Sequence, residues 1–158
     1  MSTSVHWHEG LFLQPHHLQA MQGSVDAKLG FERELGQAYP HGVVESRLDM
    51  DALANGKVRF EKLVAVLPGG RIVDHPNGAD LPALDIEQAF AASPRGLRIL
   101  LGVPAYDASR ANTIDLGEDA DWRVKRLWRV IEQDRKDENT GENAQPVLHR
   151  RVNARLML

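Results

Sequence analysis

Apolar and polar residues alternate with a period of two over much of the chain after residue 42, and this alternation constrains the fold most strongly. Successive side chains of a β-strand point to opposite faces, so the pattern predicts half-buried strands. The runs of strand length cover residues 43–48, 58–67, 97–103 and 148–158. A Pro-Gly-Gly stretch at 68–70 leads into a returning run at 71–74, which predicts a hairpin. We therefore predict a mainly β fold with the architecture of a β-sandwich.

A single helical stripe precedes the predicted strands. Its apolar residues recur at steps of three and four, the spacing of one helix face, at Leu18, Met21, Val25 and Leu29. Pro15 suits the first turn of a helix, and the residue before Pro40 is driven out of the helical region. We predict one long helix over about residues 15–37. Its stripe is narrow, so we expect the helix to lie on a surface.

The stretches between these runs carry weaker signals. The segment 122–131 fits both the strand and the helix period, and its aromatic and β-branched residues favour a strand. Residues 85–92 predict a short helical turn, and residues 137–141 predict a turn. Residues 77–82 and 105–120 are rich in polar residues, Gly and Pro, so we predict loops there.

The first fourteen residues, which we call the arm, have an extended character. Their large apolar residues fit no helical period, and Gly10 interrupts them. Each such side chain is worth roughly 1.5–3 kcal/mol when it is fully buried, and an exposed cluster promotes aggregation. We therefore expect four of them to bury against protein, either this domain or a neighbouring subunit: Trp7, Leu11, Phe12 and Leu13.

Charge and composition exclude several classes of function. Lys plus Arg number 19 and Asp plus Glu number 22, so the net charge is −3, which argues against a nucleic-acid binder and a polybasic membrane patch. Cysteine is absent, which excludes disulfides and thiolate chemistry. No apolar run approaches the roughly 20 residues of a membrane span, and the first residues do not form a secretory signal. We therefore expect a cytoplasmic protein without direct membrane insertion.

Histidines are concentrated near the start of the chain. His6, His8 and Glu9 share the ligand types of a transition-metal site, so a metal-dependent β-barrel enzyme of the cupin type is the alternative function. A catalytic metal requires ligands that are held rigidly by a second layer of contacts, which a terminal arm does not supply. The chain also lacks a nucleophile elbow and a phosphate-binding loop. We therefore predict no metal, no cofactor and no catalytic residues.

The stretch from Val5 to Gln19 has an unusual composition that resembles the N-terminal signature of the TssK family, also called ImpJ or VasE. The family pattern runs Val-x-Trp-x-Glu-Gly-Met/Leu-x-Leu-x-Pro-Gln-His-Phe-Gln, and His16 and Leu18 depart from it mildly. Three later segments are also similar to family motifs, at residues 70–74, 137–141 and 152–156, although His75 stands where Gly is common.

This resemblance implies a structural component of the bacterial type VI secretion baseplate rather than an enzyme. Family members are cytoplasmic trimers at the inner face of the inner membrane, where they join the TssF–TssG wedges to the membrane complex. Their N-terminal part is a β-sandwich shoulder like that of phage receptor-binding proteins, and a neck and head follow it. We expect an arm at 1–14, a helix plus shoulder domain at 15–158, and trimer and membrane-complex contacts through neck and head regions that this chain lacks.

The same resemblance places the binding of the wedge proteins TssF and TssG in this domain. A partner-binding surface is expected at the arm and the first helix. Its predicted residues are Val5, Trp7, Glu9, Gly10, Leu11, Phe12, Leu13, Pro15 and His17.

Overall fold

A computed structural model describes residues 3–93, 95–118 and 125–158 of the chain. The chain divides into two compact units, one comprising Met1–Val44 and Ala65–Ile72 and the other comprising Glu45–Val64 and Val73–Leu158. The elements in chain order are α1 (Pro15–Gly36), β1 (Gly42–Leu48), α2 (Met50–Ala54), β2 (Lys57–Val58), β3 (Phe60–Val66), β4 (Ile72–His75), β5 (Ala79–Asp80), β6 (Leu84–Asp85), α3 (Glu87–Ala92), β7 (Leu100–Gly102), β8 (Thr113–Ile114), β9 (Trp128–Arg135), β10 (Gln145–Asn153) and β11 (Arg155–Met157).

The described strands form four open sheets. The largest has the order β5-β10-β9-β8, and a three-stranded sheet has the order β1-β3-β4. Two further pairs are β11 with β7 and β2 with β6. The mainly β class is therefore confirmed, whereas the β-sandwich stays a prediction.

The helix prediction is confirmed in one part and wrong in another. The long helix α1 ends one residue before the predicted boundary, at Gly36. It is not the only helix, because α2 and α3 are helical as well. The turn expected at 85–92 contains α3, but α2 was missed. Asp49 begins α2 as its N-cap, since the Asp49 carboxylate accepts a hydrogen bond from the Ala52 N–H at 2.9 Å.

Long-range pairing corrects several predicted strand boundaries. The run 58–67 divides between β2, which pairs with β6, and β3. The run 148–158 divides at Ala154 into β10 and β11. The short strands β5 and β8 lie in stretches predicted as loops, and they form because β10 and β9 pair with them. The strand favoured for 122–131 is confirmed from Trp128 onward, while residues 122–124 lie outside the described residues.

The core of the second unit is aliphatic. Leu127 and Val73 are fully buried and are the largest of the fully buried side chains described. Asn153 adds two hydrogen bonds at the edge of this core. Its side-chain amide donates to the Arg126 carbonyl at 2.9 Å, and its backbone N–H donates to the Leu127 carbonyl at 2.9 Å. These contacts fix the base of β10 against the segment that enters β9.

In the first unit, α1 lies against the turn at residues 67–71. The Leu67 N–H donates to the Arg71 carbonyl at 2.8 Å, and Gly69 and Gly70 have positive φ angles, so the predicted hairpin turn is confirmed. A side chain on Gly70 would meet the Gly30 backbone of α1 at 3.3 Å. The Arg33 guanidinium also donates to the Gly70 carbonyl at 3.1 Å. None of the helices in the described parts is both long and apolar enough to cross a membrane.

Candidate partner-binding surface

The described part of the arm, residues 3–14, contains no helix or strand but has a defined turn. The Leu11 N–H donates to the His8 carbonyl at 3.3 Å, and Gly10 has a φ of +79°. This left-handed conformation is disfavoured for residues with a Cβ, which explains the need for glycine at position 10. The turn reverses the chain direction just before α1 begins.

Two motif residues have a role in starting α1. Gln14 is the N-cap and Pro15 occupies the first helical position, where its missing N–H costs nothing. The Gln14 N–H donates to the Nδ1 atom of His17 at 3.0 Å, so His17 satisfies a donor at the helix start. The Trp7 ring centroid lies 6.4 Å from that of His17. His17 therefore contacts both the helix start and the arm.

The apolar side chains of the arm remain in contact with solvent. Trp7 is 50% exposed, Leu13 is 55% exposed and Phe12 is 80% exposed, while Leu11 is partly buried. Burial of Trp7, Phe12 and Leu13 against this domain is therefore wrong, whereas their burial against a neighbouring subunit stays a prediction. The described residues of the arm form no strand that could add to a sheet of this chain.

The helix α1 adds an apolar stripe to this surface. Ser24 is the one buried residue of α1, all of whose residues are described. The expectation that α1 lies on a surface is therefore confirmed. We define the arm–helix surface as the exposed large apolar residues of the arm together with those of the helix stripe from Leu18 to Leu29, which are Trp7, Phe12, Leu13, Leu18, Met21, Val25 and Leu29. Several exposed apolar side chains on one segment are typical of protein-binding sites.

All nine predicted partner residues lie in or beside this surface. Glu9, Gly10 and Pro15 are exposed, and Val5, Leu11 and His17 are partly buried. The geometry thus distinguishes residues that shape the arm from the three that present large apolar groups. The helix residues from Leu18 to Leu29 are not among the nine, although the docking surface expected from the sequence includes the first helix.

The N-terminal histidines do not assemble a metal site in the described structure. The ring centroids of His6 and His8 are 5.7 Å apart, and the Nδ1 atom of His8 is hydrogen-bonded to the Glu9 carbonyl at 2.9 Å. Among the described residues, no group of three or more His, Cys, Asp or Glu side chains could hold a metal ion. The cupin-type alternative therefore gains no support.

The carboxylates with perturbed acidity have local structural partners. A hydrogen bond from the Ala52 backbone, and then the Arg59 side chain, lower the pKa of Asp49. Hydrogen bonds from the Ser109 side chain and backbone lower the pKa of Asp107. Each carboxylate stabilises a helix start or a turn, and this arrangement does not resemble a general acid–base pair.

The mainly β fold carries an arm with exposed apolar side chains, a feature typical of the class of proteins that bind other proteins. Residues 17–158 match the model of a family described as "Bacterial Type VI secretion, VC_A0110, EvfL, ImpJ, VasE". The chain therefore belongs to this family of type VI secretion baseplate components, which confirms the resemblance. The matched residues begin after most of the Val5–Gln19 motif, so the match rests chiefly on the residues that follow it.

Solved structures show the same fold. A TssK–TssF–TssG baseplate subcomplex of the type VI secretion system contains a chain with 23% identity and a TM-score of 0.79, covering 99% of this chain and 51% of that one. A chain of a type VI baseplate complex has 23% identity and a TM-score of 0.80, and the match covers 99% of this chain and 49% of that one. A crystal structure of TssK has 24% identity and a TM-score of 0.76, and the match covers 99% of this chain and 34% of that one. The chain thus spans about a third to a half of the length of these matched chains. The comparison with curated proteins found no match.

Proposed function

We propose that the chain is the wedge-binding part of a type VI baseplate protein and that the arm–helix surface contacts TssF and TssG. One observation carries this proposal: Trp7, Phe12 and Leu13 stay half to four-fifths exposed on an arm whose turn and helix start are hydrogen-bonded. Similar chains occur in structures that contain TssF and TssG, which supports these proteins as the partners.

The arm has the physical features of a preorganised binding segment. Ordering a flexible segment on binding reduces affinity, so a segment already held by a turn and a helix cap binds with less entropic loss. A few buried apolar anchors usually dominate the binding free energy, and Trp7 and Phe12 fit that role. Gly10, Pro15 and His17 then act by setting the direction of the arm.

The remaining predicted residues complete this division of roles. Val5 and Leu11 are partly buried and support the arm, while the exposed Glu9 supplies a charge at the rim of the contact. Rim charges affect association rate and partner choice more than they affect affinity.

In the whole protein, we propose that this domain is a β-sandwich shoulder with a structural, non-catalytic role. The protein would act as a cytoplasmic trimer at the inner face of the inner membrane, linking the baseplate to the membrane complex through regions beyond this chain. The net charge of −3 fits protein partners better than nucleic acid or a membrane surface.

Deletion of residues 1–14 tests the proposal directly. The deleted protein should retain the far-UV spectrum of a β-rich fold but lose the capture of co-expressed TssF–TssG. A matched control replaces two exposed aromatic residues of the second unit, Phe90 and Tyr106, by alanine, and this variant should still capture the wedge. Capture that survives the deletion would place docking elsewhere, with the loop at residues 74–82 as the next candidate.

A further inference from the structure

The outer edge of β9 is unpaired over most of its length. Its neighbour β8 pairs with it only at the start, where Thr113 is opposite Trp128 and Ile114 is opposite Arg129. No described strand continues this pairing alongside the rest of β9, which runs to Arg135. An edge of this kind presents backbone N–H and C=O groups to any extended chain that lies beside it.

Hydrogen bonds at the start of β9 show which of its residues direct their backbone groups outward. The Trp128 N–H donates to the Asn112 carbonyl at 2.9 Å, on the side of β8. The Leu127 carbonyl accepts from the Asn153 N–H at 2.9 Å, on the side of β10. Backbone groups of successive residues in a strand alternate in direction. The even-numbered residues of β9 therefore direct their backbone groups outward, and the odd-numbered residues bond to β10.

The opposite edge of this strand pair is less suited to accept a further strand. On β10, the Val152 N–H donates to the Gly78 carbonyl at 2.9 Å, so the even-numbered residues of β10 point outward there. One of them is Pro146, which has no N–H to donate. Proline on an edge strand is a common protection against strand addition. The strand β9 contains no proline, so its outer edge lacks this protection.

A cavity of about 710 Å³ adjoins the outer edge of β9. Its lining includes Arg129 and Ile131, whose side chains share one face of the strand. Val130 and Glu132, whose backbone groups point outward, line it as well. The cavity therefore lies where that face meets the edge. A volume of this size is typical of pockets that enclose a ligand group.

Other segments of the second unit supply further apolar lining. Leu116, which follows β8, is 55% exposed, and Leu81 follows β5. Together with Ile131 they provide apolar surroundings for a side chain that an added strand would place on this face. The Arg129 guanidinium in the same lining already faces Asp80 at 3.9 Å, so the cavity does not require a charged occupant.

The other face of this edge is acidic. Glu132 and Asp134 are exposed, and neither carboxylate has an ion-pair partner among the residues that the structure describes. The positive charge of this face, Arg150, lies 4.7 Å from the centre of the Trp128 ring, at the start of β9. Opposite charges on directly facing residues stabilise strand pairing, so an added strand is favoured when it places Lys or Arg opposite the two carboxylates.

We infer that the outer edge of β9 binds an extended peptide segment of a different protein by strand addition. The peptide alternates basic residues, which face Glu132 and Asp134, with apolar residues, which lie beside Ile131 and enter the cavity. In this binding mode the main-chain hydrogen bonds provide affinity and the alternate side chains provide selectivity. The strand β9 lies in the second unit, so the inference goes beyond the role proposed for the arm and does not depend on it.

Fluorescence anisotropy of a labelled synthetic peptide tests the inference on the whole chain, without TssF or TssG. The probe is a short peptide that alternates lysine with valine, and the control peptide has the same composition in scrambled order. We expect saturable binding of the alternating probe, with a dissociation constant at least about tenfold lower than that of the scrambled peptide. Added salt should weaken this binding, because exposed charge pairs are screened.

Variants of the acidic face test the contribution of charge. Glu132→Lys with Asp134→Lys should raise the dissociation constant of the alternating probe at least about tenfold. The matched control is Glu138→Lys with Glu142→Lys, which changes the net charge equally but lies between the end of β9 and the start of β10. This control should bind the probe like the wild type.

Methylated probes test the main-chain contribution without a change in the protein. Methylation of the lysine amides and methylation of the valine amides each remove one alternate set of N–H donors from the peptide. Only one of the two sets faces β9 in a paired strand. We therefore expect one methylated probe to lose binding and the other to retain it. Equal effects of the two methylations would contradict strand addition.

A truncation in the cavity tests the apolar contact. Leu116→Ala removes apolar lining and should raise the dissociation constant of the alternating probe by about three- to tenfold. Leu100→Ala is the matched control, because Leu100 is 47% exposed on β7 and does not line the cavity. This variant should leave the affinity unchanged.

Three further results would overturn the inference. The first is the absence of saturable probe binding. The second is equal affinity for the alternating and the scrambled peptide, or equal weakening by the face variant and its control, which would indicate non-specific attraction of charge. The third is probe binding that disappears as the protein concentration rises, which would indicate that a second copy covers the edge.

Discussion

Replacing Phe12 by alanine separates the free energy of partner binding from the free energy of unfolding. A fully enclosed phenylalanine buries about 150–250 Å². Since 80% of Phe12 is exposed in the chain alone, roughly 120–200 Å² remains for a partner to cover. At about 25 cal/mol per Å², this area corresponds to roughly 3–5 kcal/mol. The fraction already covered corresponds to only about 1 kcal/mol, which bounds the loss of folding stability.

Part of the available binding energy is offset by the ordering of the interface, so we expect Phe12→Ala to cost about 2 kcal/mol of binding. This corresponds to a roughly 30-fold rise in the dissociation constant for purified TssF–TssG, measured by calorimetry. The free energy of unfolding, measured by chemical denaturation with circular dichroism, should change by less than about 1 kcal/mol. Phe90→Ala is the matched control, because Phe90 is also exposed but lies on α3. Equal affinities for the two variants would refute the assignment of Phe12 as an anchor.

Three further substitutions test the described contacts. Leu127→Ala removes a fully buried side chain and should destabilise the fold by about 2–5 kcal/mol, seen as a melting temperature lowered by roughly 4–20 °C. Asp49→Asn keeps an N-cap but loses the charged contact with Arg59. Because the Ala52 N–H and Arg59 lower the pKa of Asp49 in the folded state, its contribution is present above the ordinary value of 3.8 and is lost as the pH falls through the folded pKa. The stability difference between the wild type and Asp49→Asn should therefore vanish in strong acid, and a difference that grows there would contradict this reasoning. His17→Ala should cost about 0.5–1 kcal/mol of stability through the lost acceptor at the helix start, with a smaller loss for His17→Gln, both measured by chemical unfolding.

Local chemistry made the hairpin and the long helix predictable. The turn at residues 68–70 depends on glycines that adopt positive φ, and α1 depends on a regular apolar spacing, so both signals lie within a few neighbouring residues. The two-residue strands β5 and β8 depend instead on pairing with β10 and β9, which are distant in sequence. α2 has only five residues, too few for a helical period to show.

The arm shows a different limit of sequence reasoning. Apolar patterning established that Trp7, Phe12 and Leu13 require burial, but it does not state which surface supplies it. In the chain alone these side chains remain largely exposed, so the pattern by itself does not distinguish a core segment from an interface. The motif residues His17 and Pro15 likewise gain a structural explanation only once the helix start is seen.

The charged residues of β9 and β10 are divided between the two faces of this strand pair, and the division becomes visible only with the register of the strands. Within β9, Glu132 and Asp134 have even positions while Arg129 and Arg135 have odd ones, so their segregation follows once the segment is known to be a strand. The contribution of β10 depends on register, because a shift of one residue would move Arg150 to the face of Arg129 and Arg151 to the face of Glu132. The observed pairing keeps Arg151 beside Arg129, where Asp80 binds both, and this contact at the base opposes such a shift. The ion pairs of Asp80 therefore stabilise the observed register of β9 and β10.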